Sequence, residues 1–292
     1  MTTASPNQFV PCRRVGDGSQ HHFFGYDNKS NWDKTNRLLL AQRTPAMDQY
    51  LTPESRATIG YFDTQDGDRF HAVGETGAWN FQMGSQLQWL DGAPGRQLIY
   101  NDRTGDMSAR YPGFGAVIVD VDSGARRQLP MPVYVVAPSS AWALSVNYRR
   151  LYITHETIGY SEPGQPFTLP LAPEGDGIWR MDIATGDAQL LVSYAQLKAF
   201  HHVPSMDKAI HWVSHIEVNP ASSRILFLHR WTTRCRSWPL TSTPAPWAPS
   251  TMRSPNTRSR TRCGRTTSTS LSGARMPARS TTTCTTTPRA AR

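Results

Sequence analysis

Three segments decide the fold: "IGYFDTQDG" at 59–67, "AVIVDVDSG" at 116–124 and "IWRMDIATG" at 178–186. Each begins as an apolar stretch with the period-2 alternation of a half-buried strand. Each then reaches an aspartate and closes on a glycine four residues later. That ending suits a tight hairpin, in which the aspartate side chain bonds nearby backbone and the glycine takes a positive φ. The glycines stand at 67, 124 and 186, so the pattern recurs roughly once per 60 residues, as in repeat architectures built from one supersecondary unit.

Working outward from these segments, a second element recurs. "LQWLDGAPGRQLIYND" (87–102), "WALSVNYRRLYITH" (142–155) and "WVSHIEVNPASSRILFLHR" (212–230) each read as strand, polar turn, strand. "HHFFGYD" (21–27) and "RLLLAQR" (37–43) form a fainter copy ahead of the first Asp–Gly turn. Assembled, each unit is four strands in up-and-down order, with 86–90, 97–101, 116–121 and 126–130 in the second. This is the blade of a β-propeller. A sandwich also uses many short strands, but the Asp–Gly turn at one fixed point per unit favours the propeller. The count gives three full blades and the first two strands of a fourth. Only "SYAQLKAF" (193–200) suggests one or two helical turns.

The composition changes at Trp231. Residues 231–292 hold eleven arginines and sixteen threonines, with no lysine, aspartate, glutamate, valine, isoleucine, tyrosine, phenylalanine or histidine. The chain as a whole carries 31 basic and 22 acidic residues, a net of +9. Without this segment, residues 1–230 keep twenty basic against the same 22 acidic residues, a net of −2. The basic balance therefore belongs to the tail, and a nucleic-acid partner is not expected of the repeat region. A segment this poor in apolar residues cannot offset its chain entropy, and it is expected to be disordered. Its Arg/Ser/Thr/Pro/Ala bias is what a GC-rich gene yields when read out of frame. The expected organisation is a lead-in at 1–19, a partial propeller at 20–230 and a tail at 231–292. Cys12 is the one cysteine ahead of the tail, so no disulfide framework is expected. The N-terminus lacks a signal-peptide run, and no stretch reaches the ~18 apolar residues of a membrane span. A cytoplasmic protein with no membrane partner is the expectation, and no oligomeric state follows.

"HHFFGYDNKSNWD" (21–33), "GAWNFQMGSQLQWL" (77–90), "DGIWRMDIATG" (176–186) and "HWVSHIEVNPASSRILFLHRW" (211–231) resemble the oligogalacturonide lyase-like branch of the TolB-type seven-bladed propellers. The resemblance implies β-elimination on short, acidic uronate oligosaccharides. In that family a histidine is the base and an arginine helps hold the sugar acid. A divalent metal, usually manganese, sits on histidines and a glutamine. "VSHIEVNP" best matches the stretch that supplies the base, which makes His215 the candidate catalytic residue. The family's metal ligands come mainly from later blades, so manganese ligands are not expected within this chain, and the chain as given is expected to be inactive. A non-catalytic propeller that binds a sugar or a protein is the alternative.

Other residues are weighed on their own spacing. His211 and His215 form H-x-x-x-H, but on a strand they lie ~13 Å apart, too far to share one ion. A turn position is expected for His211. His155-Glu156 begins a zinc-protease pattern that lacks its second histidine. His21 or His22 can face the channel, not both. His21, Trp79, Asn80 and Gln82 are the candidate sugar contacts: an aromatic ring and amides suit a sugar, and they suit packing between blades equally. Asp63, Asp120 and Asp182 are expected to serve the turns.

Overall fold

The computed structural model describes residues 12–26, 28–47, 49–106, 113–161 and 169–232, together with the backbone of 268–275. The chain divides into two compact units, Met1–Pro130 and Met131–Arg292.

The first unit holds two four-stranded antiparallel sheets. One runs β1 (His21–Phe23), β2 (Leu38–Thr44), β3 (Ala57–Asp63), β4 (Arg69–Thr76), and the next runs β5 (Gln88–Trp89), β6 (Gln97–Arg103), β7 (Phe114–Asp120), β8 (Arg126–Leu129). Spatial order equals chain order in both, which is the meander of a propeller blade. The alternation seen in the sequence sets which faces meet. Leu38, Leu40 and Ile59 of the first sheet pack with Trp89, Leu98, Tyr100 and Val119 of the second, and with Leu87 just ahead of β5. Each such fully buried aliphatic side chain stabilises by about 1.5–3 kcal/mol. Polar contacts hold the sheets in register: Thr76 Oγ1 donates to the Asn101 carbonyl at 2.6 Å, and the Gly77 N–H to Asp102 at 3.0 Å.

The second unit holds a third four-stranded sheet, of β9 (Val135–Val136), β10 (Trp142–Ser145), β11 (Gly177–Asp182) and β12 (Ala188–Ser193). It also holds a sheet of β13 (Ile210–Val218), β14 (Arg224–Thr232) and β15 (Ser268–Arg275). The fold class is the expected one: all-β, with three four-stranded antiparallel blades and a shorter fourth sheet.

The Asp–Gly turns form as the spacing predicts. Asp63 accepts the Gln65 N–H, Asp120 the Ser123 N–H, and Asp182 both Ala184 and Thr185 N–H groups at 2.8 and 3.0 Å. Gly67, Gly124 and Gly186 all have positive φ, of 64°, 71° and 80°. The hydrogen bonds that build these turns also hold the carboxylates charged. Asp63, paired with Arg37, is lowered to about 2, and Asp120 and Asp182 are lowered chiefly by backbone donors.

Two expectations change in the second unit. The stretch 142–155 is not strand–turn–strand, because its second half is the helix α1 (Tyr148–Thr154). Asn147 caps it, accepting the N–H groups of Arg149 and Arg150 at 3.1 and 3.2 Å. Tyr148 and Leu151, three residues apart on one face, are buried, and so is Arg150. "WALS" is therefore the second strand of its blade, and Val135–Val136 is the first, with Leu144 opposite Val135. The other change lies in the tail. Ser268–Arg275 shows no strand pattern in the sequence, yet it pairs antiparallel with β14 from Arg224↔Arg275 to Arg230↔Ser268. The exposed edge of β14 offers a row of unpaired N–H and C=O groups, and backbone pairing needs no apolar pattern to satisfy them. Tail residues 233–267 and 276–292, with Cys235, Cys263 and Cys284, lie outside the described residues. The helix expected near 193–200 is α2 (Tyr194–Ala199), with a Ser193–Gln196 capping box. No helix among the described residues is long and apolar enough to cross a membrane.

Candidate functional site

His215 interrupts β13. The ladder with β14 runs in register from Ile210↔Thr232 to Ser214↔Leu228, then shifts and resumes at Glu217↔Leu226. His215 sits in that bulge with φ 53°. The left-handed region costs a side chain with a Cβ about 1–2 kcal/mol, so neighbouring contacts must hold it there. Its N–H, turned out of the ladder, donates to the Tyr134 hydroxyl at 2.7 Å, and its Nδ1 lies 3.0 Å from Ser214 Oγ. Tyr134 is fully buried, and its ring stacks towards Tyr148, which lies 4.2 Å from Tyr160 in near-parallel stacking. The bulge that re-aims His215 is thus backed by a rigid aromatic column.

The imidazole stays neutral. Burial pushes its pKa below the ordinary 6.5, and the charge of Arg230 lowers it further. His155, which caps the end of α1, is lowered by burial, then by Arg230 and by His215. These three side chains are thus within electrostatic reach of one another. Arg230 stands directly opposite Trp212 across the β13–β14 ladder, so the two share one face of the sheet. His155 Nδ1, Trp212 Nε1 and Arg230 Nε are buried, and none has a hydrogen-bond partner among the described residues.

His211 lies on the opposite face, and it is a strand residue rather than a turn residue. It is fully buried, with Nδ1 2.9 Å from His229 Nε2 and Nε2 3.0 Å from the Met206 carbonyl. A consistent proton assignment has His211 Nε2–H donating to Met206 O and His229 Nε2–H donating to His211 Nδ1, with both rings neutral. Burial, then His211, pushes His229 down to about 3. Trp231 packs beside them with Met206 and Ala209, and donates to Ser205 Oγ at 3.1 Å. His211 and His215 therefore belong to two different clusters.

The remaining candidates lie in the first unit. Trp79 is 2 % exposed and donates to the Ser55 carbonyl at 3.2 Å. Asn80 is 5 % exposed, and its Oδ1 accepts the Met83 N–H at 2.7 Å, closing the turn that leads into β5. Gln82 is half-buried on that turn. His21 is exposed on β1, while His22 turns inward against Phe62 and Phe70, with ring centroids 4.8 Å from each. The structure thus gathers Trp79, Asn80 and Gln82 in one turn, with polar groups of the first two engaged by backbone. His201 and His202 are exposed, with His202 2.8 Å from Asp207.

Among the described residues, no three of His, Cys, Asp and Glu converge as a metal-ion donor set.

Sequence reasoning missed three groups. His155 was read only against a protease pattern, Trp212 only as strand texture, and Arg230 only as the end of a strand. The alternation of "HWV" and "HRW" places Trp212 and Arg230 on one face, a signal that becomes usable only once the register is known.

No family model matches the chain, and no curated protein matches it. Among solved structures the chain is similar to "putative TolB from Agrobacterium tumefaciens", at 13 % identity over 74 % of this chain and 73 % of that one, with a TM-score of 0.30.

Proposed function

We propose that the fourth sheet carries the base of a β-elimination on short uronate oligosaccharides, with His215 as that base. The carrying observation is the placement of a neutral imidazole at a bulge, fixed through its backbone by Tyr134. With Nδ1–H donating to Ser214 Oγ, the basic lone pair is on Nε2. His215 Nε2 takes the proton from the carbon beside the carboxylate. The released electron pair forms the C4=C5 double bond, the C4–O bond breaks, and the leaving oxygen takes a proton from water. His21, Trp79, Asn80 and Gln82 belong to the first unit and are proposed as sugar contacts of that unit by itself, with His21 and Gln82 the more accessible.

The test is to incubate the full chain with digalacturonate and follow the ultraviolet absorbance of the unsaturated product. Any rate of product formation is expected to fall about 10²–10⁴-fold in His215→Gln. Absence of product from the folded wild type on every uronate tried defeats the reading. A second reading is a non-catalytic propeller that binds a sugar or a protein. It predicts binding without turnover. We also read 231–292 as out-of-frame translation, on its composition. Resequencing the gene around the Trp231 codon tests this, and an unbroken frame there overturns it.

A further inference from the structure

In the three four-stranded sheets the third strand obeys one rule of register: its last residue, an aspartate, stands opposite the first residue of the second strand. The pairs are Leu38↔Asp63, Gln97↔Asp120 and Trp142↔Asp182. In both sheets of the first unit an arginine just ahead of the second strand is held by an aspartate from the end of the third. Arg37 Nε donates to Asp63 at 2.8 Å and Arg96 Nε to Asp122 at 3.1 Å, each in a two-pronged contact. The fourth sheet keeps the arginine. Arg224 opens β14, is exposed, and makes no ion pair among the described residues. The aspartate is missing, because the register of β15 sets Arg275 opposite Arg224. That register also sets Ser272 opposite Leu226 and Ser270 opposite Leu228, where β7 sets Ile118 opposite Ile99. Leu226 is left 40 % exposed.

We propose that the edge of β14 is a strand-acceptor site for a partner protein. Its ligand is an extended segment of alternating apolar residues that ends on aspartate, the pattern of β3, β7 and β11. The backbone of that segment pairs with the N–H and C=O groups along β14, an apolar side chain covers Leu226, and the terminal aspartate meets Arg224. β15 brings the backbone pairing without that pattern, so a segment that has both displaces it. The stretch "FGAVIVDVDSG" (114–124) illustrates the fit. With Asp120 opposite Arg224, the residues Val119, Ile118 and Val117 fall opposite Ile225, Leu226 and Phe227. The site does not depend on the elimination proposed above.

The probe is a fluorescein-labelled peptide with the sequence of 114–124, titrated into the full chain and read by anisotropy. It is expected to bind saturably. Two changes address the ion pair: Asp120→Asn with Asp122→Asn in the peptide, and Arg224→Glu in the protein. Each is expected to weaken binding about fivefold at low salt. Arg224 is exposed, so its substitution is expected to leave the circular dichroism unchanged, and the peptide change makes the same test without touching the protein. Val117→Pro with Ile118→Pro in the peptide removes an N–H from the ladder whichever way the strand faces, and is expected to abolish binding. Ser270→Pro with Leu271→Pro in the full chain weakens β15 as a competitor and is expected to tighten binding. The proposal is overturned if the peptide does not bind or if the proline peptide binds equally well. It is also overturned if neither charge change alters the affinity, or if the prolines in β15 leave it unchanged. A full chain that sediments as a dimer and excludes the peptide assigns the edge to a second copy, which overturns the proposal as well.

Discussion

Individual side chains in the second unit carry opposite burdens. Arg150 is a full cation at 1 % exposure. Its guanidinium donates to the carbonyls of His211 and Pro170, both at 2.8 Å, approaches Asp176 at 3.3 Å, and lies over the Tyr194 ring. Removing one partner of such an arrangement leaves the others buried and unpaired. Arg150→Ala is expected to cost about 3–5 kcal/mol, read as a lower urea midpoint. The His211–His229 pair sets a pH dependence. His229 in the fold is held at about 3, against an ordinary 6.5, so the unfolded chain binds the proton first. Its contribution to stability is complete above 6.5 and is lost as pH falls from there towards 3. Urea midpoints measured between pH 7.5 and 4.5 are expected to fall more steeply for the wild type than for His229→Gln. At His215 the lowered pKa has a kinetic counterpart. The acid limb of kcat/KM for the proposed elimination is expected below 6.5, because the base works only when neutral.

The bulge of β13 and the cap of α1 are each set by a single residue. In the bulge, His215 holds φ 53° at a cost that glycine avoids. His215→Gly is therefore expected to leave stability unchanged or raise it slightly, by about 0–1 kcal/mol, while abolishing elimination. His215→Ala, which keeps a Cβ in the same conformation, loses activity without that gain. Thermal melts of the two variants side by side separate strain from packing. In α1, Asn147→Ala removes the acceptor for two backbone N–H groups and is expected to cost about 1 kcal/mol. The helix is also where local pattern misleads. "RRLYIT" has the β-branched and aromatic texture of a strand, yet its capping residue and the burial of Tyr148 and Leu151 at helical spacing decide for α1.

For the molecule as a whole, the edge of β14 is the point of exposure. β15 pairs with it although "STSLSGAR" has neither the alternating apolar run nor the Asp–Gly turn of β3, β7 and β11. It contributes backbone hydrogen bonds in a place where the other sheets have a third strand with an apolar pattern. A chain ending at Thr232 is expected to keep the melting transition of the remaining sheets and to self-associate more strongly in light scattering, because the β14 edge is bare. A monomer at the same concentration counts against that role for β15. The sequence by itself determined the repeat: the strands around each Asp–Gly turn, the turn chemistry of Asp63, Asp120 and Asp182, and the β13–β14 hairpin. These follow from local alternation and from side chains that bond backbone within a few residues. Tertiary structure alone decided that Trp212 and Arg230 stand opposite each other on one face, that His211 pairs with His229, and that Arg150 is buried. Residues 60 or more apart, such as Arg150 and His211, meet only when register and bulge are set, and no local pattern encodes that register.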